Sequence, residues 1–348
     1  MRAHRYFLHL CSFALICSST TLFAAAPLGD SPQLLSVKKI WDGAPHSAFT
    51  DLARFNNQWF CTFREADGHV RGDGRIRVLT SSDGETWESA ALLSEDGIDL
   101  RDPKLSITPD DRLMLVLGGS VYEGKTLMER QPRVVFSKDG RQWTAPRRVL
   151  DKGDWLWRVT WHKGRAYGIT YNITKGIGPT NEWTITLVAS PDGIAWRPVA
   201  KLAVPSRPNE ATVRFLPNDD CIALVRREGG ASNSAKDAWI GVSSPSYTDW
   251  RWHSAGMQIG GPNFLILPSG SMVASGRQYN AKPGGNRAFV GSMTPQSVKA
   301  ELVLPSGGDC SYAGMVWHEG LLWTSYYSTH EGKTAIYLAK IRLPGQKP

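Results

Sequence analysis

The feature that most constrains this chain is a seven-residue motif that returns at nearly equal intervals. Ser81-Ser82-Asp83-Gly84-Glu85-Thr86-Trp87 recurs as Ser137-Lys138-Asp139-Gly140-Arg141-Gln142-Trp143 and as Ser190-Pro191-Asp192-Gly193-Ile194-Ala195-Trp196, with the Asp residues 56 and 53 positions apart. A degenerate copy, Ser244-Pro245-Ser246-Tyr247-Thr248-Asp249-Trp250, falls at the next interval. Each copy follows an alternating apolar run such as Arg75-Ile76-Arg77-Val78-Leu79, so each reads as strand, tight turn, strand. In such a turn Asp accepts backbone N–H groups, Gly supplies φ > 0, and Trp packs between neighbouring units. Asp83, Asp139 and Asp192 are therefore expected to build turns, not to catalyse.

Further strand pairs lie between these turns. Trp161-His162-Lys163-Gly164 nearly repeats as Trp317-His318-Glu319-Gly320, and Leu216-Pro217-Asn218 is echoed by Leu267-Pro268-Ser269-Gly270. Counting from Ser36 to Leu343 gives six units of about 50 residues with four strands each, an all-β six-bladed β-propeller. The 34 Gly and 21 Pro suit so turn-rich a chain. The last unit lacks its outer strand. Leu34 to Ile40 is predicted to supply it, closing the ring and removing exposed sheet edges.

The N-terminus reads as an export signal. Arg2, His4 and Arg5 are followed by an apolar stretch from Tyr6 to Phe23 and by Ala24-Ala25-Ala26, so residues 1–26 form the expected signal peptide and 27–348 a single propeller domain. The stretch is too short and too polar for a membrane span. Leu15-Ile16 before Cys17 are poor for a lipoprotein site, which leaves a secreted or periplasmic protein. The formal charge of +8 falls to +6 without the leader. That excess suits a small anionic substrate and is too weak for nucleic acid. Cys61, Cys221 and Cys310 show no metal-like spacing and read as buried thiols; no metal, no organic cofactor and a monomer are expected.

The turn motif is the Asp box, and six four-stranded units carrying it resemble the sialidase (neuraminidase) superfamily over essentially the whole mature chain. The motif speaks for the fold, since non-catalytic propellers carry it too. Aligning the second strands by their preceding turns puts Arg64, Arg226 and Arg277 at one register, with Gly118, Tyr171 and Tyr327 in the other units. Three guanidiniums at one mouth suit a carboxylate, which Arg grips bidentately; the alternative is that each pairs with a local acid such as Glu65 or Glu228. The resemblance implies an arginine triad on the substrate carboxylate, matched by Arg226 and Arg277. Its third place reads Phe49-Thr50-Asp51-Leu52, without an arginine, and Arg64 or Arg101 is the nearby substitute.

The inner strands begin Thr50-Asp51, Arg101-Asp102-Pro103-Lys104, Trp157-Arg158, Asn209-Glu210, Pro262-Asn263 and Ser311-Tyr312. The resemblance makes Tyr312 the nucleophile and Glu210 the base that activates it, because a phenol with pKa ~10 is weak at neutral pH without one. The plainer alternatives are a sugar-stacking rim tyrosine and a Glu210–Arg226 ion pair. For the acid/base, Asp51 ranks first and His69 second, with Asp67 also free to reach the mouth. Arg101, Asp102, Arg158 and Tyr327 join the substrate contacts, and Glu331 is a candidate to orient an arginine. Trp155, Trp157 and Tyr279 stack either on sugar or in the inter-blade core. The expectation is exo-acting hydrolysis at a terminal acidic sugar of an anionic glycan, sialic acid leading. The alternatives are action on a uronic-acid-ended chain, by hydrolysis or by elimination with His69 as base, and a non-catalytic glycan-binding propeller.

Overall fold

The alternating runs are strands in the computed structural model, which describes residues 1, 31–70, 72–173, 183–230, 234–282 and 284–345. Apart from Met1 the expected leader, with Cys17, lies outside the described residues. The strands form six four-stranded antiparallel sheets in chain order around a central channel, a six-bladed β-propeller. The innermost strands are His46–Phe55, Asp99–Ile107, Asp154–His162, Pro208–Phe215, Ile259–Ile266 and Cys310–His318, one per blade. The strand Gln33–Trp41 pairs with Ala335–Arg342, Leu34 opposite Ile341 and Trp41 opposite Ile336, and so completes blade six from the other end of the chain.

The repeated turns hold themselves together. In the first, Asp83 Oδ1 accepts the N–H groups of Glu85 and Thr86 at 2.7 and 2.9 Å, and Trp87 Nε1 donates to Gly84 O at 3.1 Å. These backbone donors draw the Asp83 carboxyl down to about 2. The degenerate copy keeps the left-handed backbone with Tyr247 (φ 68°) where the others have glycine. Between blades the side chains form apolar layers, for example Trp59 of blade one against Trp323 of blade six, ring centroids 4.5 Å apart. Cys61, Cys221 and Cys310 are all buried and free.

One irregularity recurs in every blade. The innermost strand slips register against the second strand, between Ala48 and Asp51, Arg101 and Lys104, Leu156 and Val159, Pro208 and Ala211, Gly260 and Asn263, and Ser311 and Gly314. Each slip is a bulge, which re-aims side chains. The equivalent first bulge residues are Phe49, Asp102, Trp157, Asn209, Gly261 and Tyr312. Four of them take positive φ: Phe49 (65°), Asp102 (50°), Gly261 (58°) and Tyr312 (53°). For the three that carry a Cβ, this is backbone strain that the surrounding sheet must hold.

Candidate active site

Bulge residues of blades one, two, four and six border a cavity of about 190 Å³ at one mouth of the channel. At ~30 Å³ per water that is space for about six waters, the scale of one sugar ring. Tyr312, Glu210, Asp102, Arg101, His69 and Phe49 line it. The far wall comes from the long hairpin of blade two, strands Leu113–Glu123 and Thr126–Ser137, through Ser120, Tyr122, Leu127 and Arg130, with Trp155 and Tyr171 beside them.

Tyr312 and Glu210 meet across the channel. The Tyr312 hydroxyl donates to Glu210 Oε1 at 2.5 Å. Arg226 Nη1 donates to Glu210 Oε2 at 2.7 Å and to the Tyr312 oxygen at 3.1 Å. The Gly261 N–H completes the carboxylate's partners at 2.9 Å. Gly261 is required here, because a Cβ would fall 2.7 Å from the Tyr312 ring and the backbone is left-handed. Burial raises the Glu210 carboxyl, but Arg226, the Tyr312 hydroxyl and Gly261 outweigh it and hold the group below its ordinary range. Burial, then the Glu210 charge, hold the Tyr312 phenol well above its ordinary value, while Arg226 and Arg277 pull the other way. The pair therefore rests as neutral phenol beside carboxylate. Lys104 lies beneath, fully buried, 5.9 Å from the Tyr312 ring centroid and 3.1 Å from Pro103 O. Burial, then Arg158, lower it to about 8.

Asp102 is the other carboxyl of the cavity. Burial raises it above its ordinary value, against Arg101 and Lys104, which favour its ionised form. Arg101 donates to His69 O at 2.9 Å and to Asp99 at 3.2 Å.

Several residues singled out from sequence lie elsewhere. Asp51 is 1% exposed and ion-paired with Arg158 at 2.8 Å, while also accepting the Leu105 N–H. Asp51 lies just past the bulge of blade one and Arg158 inside the bulge of blade three; both are buried in the channel, closed on each other, and neither lines the cavity. Arg64 is wholly buried, its fork closed on Asp99 at 2.7 and 3.1 Å and on Gly68 O. Arg277 is its repeat equivalent and is committed likewise, to Asp309 at 2.9 Å, to the Tyr327 oxygen and to Cys310 O. Arg226 is taken by Glu210 and by Glu228 at 2.6 Å. The three guanidiniums thus do not converge as an open triad; each has its own acid. Tyr327 is fully buried, its hydroxyl donating to Asp309 at 2.8 Å, and does not line the cavity. Glu331 sits at the surface on Lys39 and Tyr337, and Asp309 takes the arginine-orienting place instead.

The sequence reading missed Arg130. It is 7% exposed and lies over the rings of Trp155 and Tyr171, 5.5 and 4.9 Å from their centroids. Its hydrogen bonds go to Gly153 O and Tyr171 O, and it meets no carboxylate among the described residues. Burial accordingly lowers its pKa.

No known family profile matches the chain, and no curated protein does. Solved structures do. A protein of unknown function from Dyadobacter fermentans superposes with a TM-score of 0.76 at 20% identity, covering 90% of this chain and 99% of the other. An α-L-arabinofuranosidase of Fusarium graminearum, in complex with an iminosugar inhibitor, gives 0.66 at 16% identity over 89% and 98%. The Trypanosoma rangeli sialidase, in a covalent-intermediate complex with 2,3-difluorosialic acid, gives 0.68 at 11% identity over 91% of this chain and 59% of its own. The shared property is the six-bladed propeller.

Proposed function

We propose that this chain is a retaining glycoside hydrolase that removes a terminal acidic sugar, such as sialic acid, from a glycan. The observation that carries the reading is the Tyr312–Glu210–Arg226 cluster in a sugar-sized cavity. As Tyr312 Oη bonds to the anomeric carbon, its proton passes to Glu210 Oε1, and Asp102 protonates the departing glycosidic oxygen. In the second half Asp102 takes a proton from water, the water oxygen replaces Tyr312 on the carbon, and Glu210 returns the phenolic proton. A carboxyl raised by burial suits the acid, and a carboxylate held ionised suits the base, so the two environments sort the roles. A neutral nucleophile also keeps a second carboxylate away from the substrate's own.

Arg130 supports an acidic substrate, because a buried guanidinium with no carboxylate in ion-pair contact among the described residues favours an arriving carboxylate. A neutral pentofuranoside is the second reading. It is favoured by the internal commitment of Arg64, Arg226 and Arg277, and in that case Glu210 attacks in place of Tyr312. A release assay over sialosides, uronic-acid-capped glycans and arabinofuranosides decides. Preferred release of an acidic sugar with retention at the anomeric carbon is expected. An unsaturated product reveals elimination, and no release from any substrate, with binding intact, leaves a lectin.

A further inference from the structure

At the seam where blade six meets blade one, the acid that anchors the blade-five arginine is shared with two imidazoles. Asp309 Oδ1 is occupied by Arg277 Nη2 at 2.9 Å and the Tyr327 hydroxyl at 2.8 Å. Its Oδ2 faces His69 Nδ1 at 2.8 Å and His46 Nε2 at 3.6 Å, and the three ligand atoms lie within 4.8 Å of one another. The fold contains its own control. Asp99 holds the equivalent place in blade two, taking Arg64 of blade one as Asp309 takes Arg277 of blade five, and both its oxygens are filled by guanidiniums, from Arg64 and Arg101. At the Asp309 seam the second oxygen has no guanidinium.

His46 sharpens the point. It is 8% exposed, its Nδ1 has no partner, and its Nε2 stops 3.6 Å short of the carboxylate, beyond a hydrogen bond. Two ligands of one tetrahedral ion, at bond lengths of ~2.0–2.1 Å, stand ~3.3 Å apart; the His46 gap of 3.6 Å is close to that, while His69 Nδ1, now hydrogen-bonded to Asp309 Oδ2 at 2.8 Å, has to draw back by about half an ångström to share the ion. The carboxylate is already turned, since Arg277 and Tyr327 fix Oδ1 and leave Oδ2 pointing inward, as outer partners do at metal centres.

We infer that His46 Nε2, His69 Nδ1 and Asp309 Oδ2 bind one divalent transition ion, zinc by ligand type, with its remaining coordination open to the cavity that His69 lines. Two imidazoles and a carboxylate suit zinc over magnesium or calcium, which prefer all-oxygen sets. Arg277 beside the carboxylate tempers the affinity, so micromolar binding is expected. The inference is independent of the glycosidase reading, because its test measures binding alone.

The test is calorimetric titration of the chelator-treated full chain with zinc chloride at neutral pH, with bound metal counted by mass spectrometry. One ion per chain is expected. His69→Ala, at a half-exposed position, should fold normally and weaken binding at least tenfold, and Asp309→Asn should do so further. His253→Ala, an exposed histidine away from the seam, should bind as the parent does. Absence of zinc binding in the parent chain overturns the inference, as does binding that survives both His46→Ala and His69→Ala.

Discussion

Replacing Tyr312 by Phe removes a single oxygen, and the structure says what else changes. The ring keeps its packing against Phe49, Trp157 and Tyr327, with centroids 5.2, 5.3 and 5.8 Å away. The strained backbone, φ 53°, is common to both residues and cancels in the comparison. Two hydrogen bonds disappear, one donated to Glu210 and one accepted from Arg226. Glu210 is not orphaned, since Arg226 at 2.7 Å and the Gly261 N–H at 2.9 Å remain. Loss of these two charge-assisted bonds, from a carboxylate and a guanidinium that each keep their other partners, costs ~2–3 kcal/mol of stability. The effect on turnover is of another size. Without a covalent route, kcat should fall ~1,000-fold or more, ~4 kcal/mol at 1.36 kcal/mol per decade, while substrate affinity stays within about threefold. Steady-state kinetics on a released reporter group, thermal unfolding and calorimetric binding give the three quantities. In the parent chain, a fluorinated sugar should leave an adduct on the peptide carrying Tyr312. A Phe variant that retains more than a tenth of parental kcat refutes the reasoning and moves the nucleophile to a carboxylate.

Three other outcomes follow from the geometry. Glu210 must be ionised and Asp102 protonated, so kcat/KM should form a bell: it falls on the acid side as Glu210, held low, takes a proton, and on the alkaline side as Asp102, held high, loses one. Asp102→Asn should lower the rate and remove the alkaline limb; an unchanged limb assigns the proton donor elsewhere. Arg130→Gln should raise KM for acidic substrates at least tenfold and leave their uncharged amide analogues near the parental value, which parallel kinetics would show. Gly140→Ala should destabilise the fold by ~2–4 kcal/mol, since the backbone is left-handed (φ 71°) and the new Cβ falls 2.0 Å from the Phe60 ring. Gly124→Ala, left-handed but open, should cost only ~1 kcal/mol. Equal shifts in the two melting temperatures would contradict this.

The propeller was legible because its turns are written in local chemistry. Asp, Gly and Trp at fixed spacing need no distant partner to declare themselves, and the missing outer strand of the last unit pointed to the other chain end. Tyr312 and Glu210 were legible through their place at the starts of inner strands. The errors have one main physical source, register, which only the ladder pairings show because every blade carries the same bulge. Asp51 was lined up with Tyr312, but it is level with Gly314, just past the bulge, where it meets Arg158 instead of solvent. The bulge residue of blade one is Phe49. In the second strands the true equivalents of Arg64 and Arg277 are Thr170 and Arg227, not Tyr171 and Arg226, and Arg227 closes on Asp237 at the side of its blade. Arg130 was overlooked because it lies on a third strand, and only an overlong hairpin brings a third strand to the mouth. The commitments of Arg64 and Arg277 rest on Asp99 and Asp309 at the entrances of the next blades, pairings that appear only once the ring is assembled.

The bulges also divide the labour around the ring. Blades two and six supply Asp102 and Tyr312 from the first bulge position and blade four supplies Glu210 from the second, while the first bulge residues of blades one, three and five are Phe49, Trp157 and Gly261, with nothing to ionise. The three groups proposed to react therefore stand a third of a turn apart and face one another over the axis from separate sheets. A shift of any one of these three blades changes two of the three distances between the groups and spares the third. Blade six, which carries Tyr312, is the one sheet built from both chain ends. The grip of Gln33–Trp41 on Ala335–Arg342 thus works as the tension screw of the reactive triangle, and loosening it should detune turnover at temperatures where the other five blades still hold.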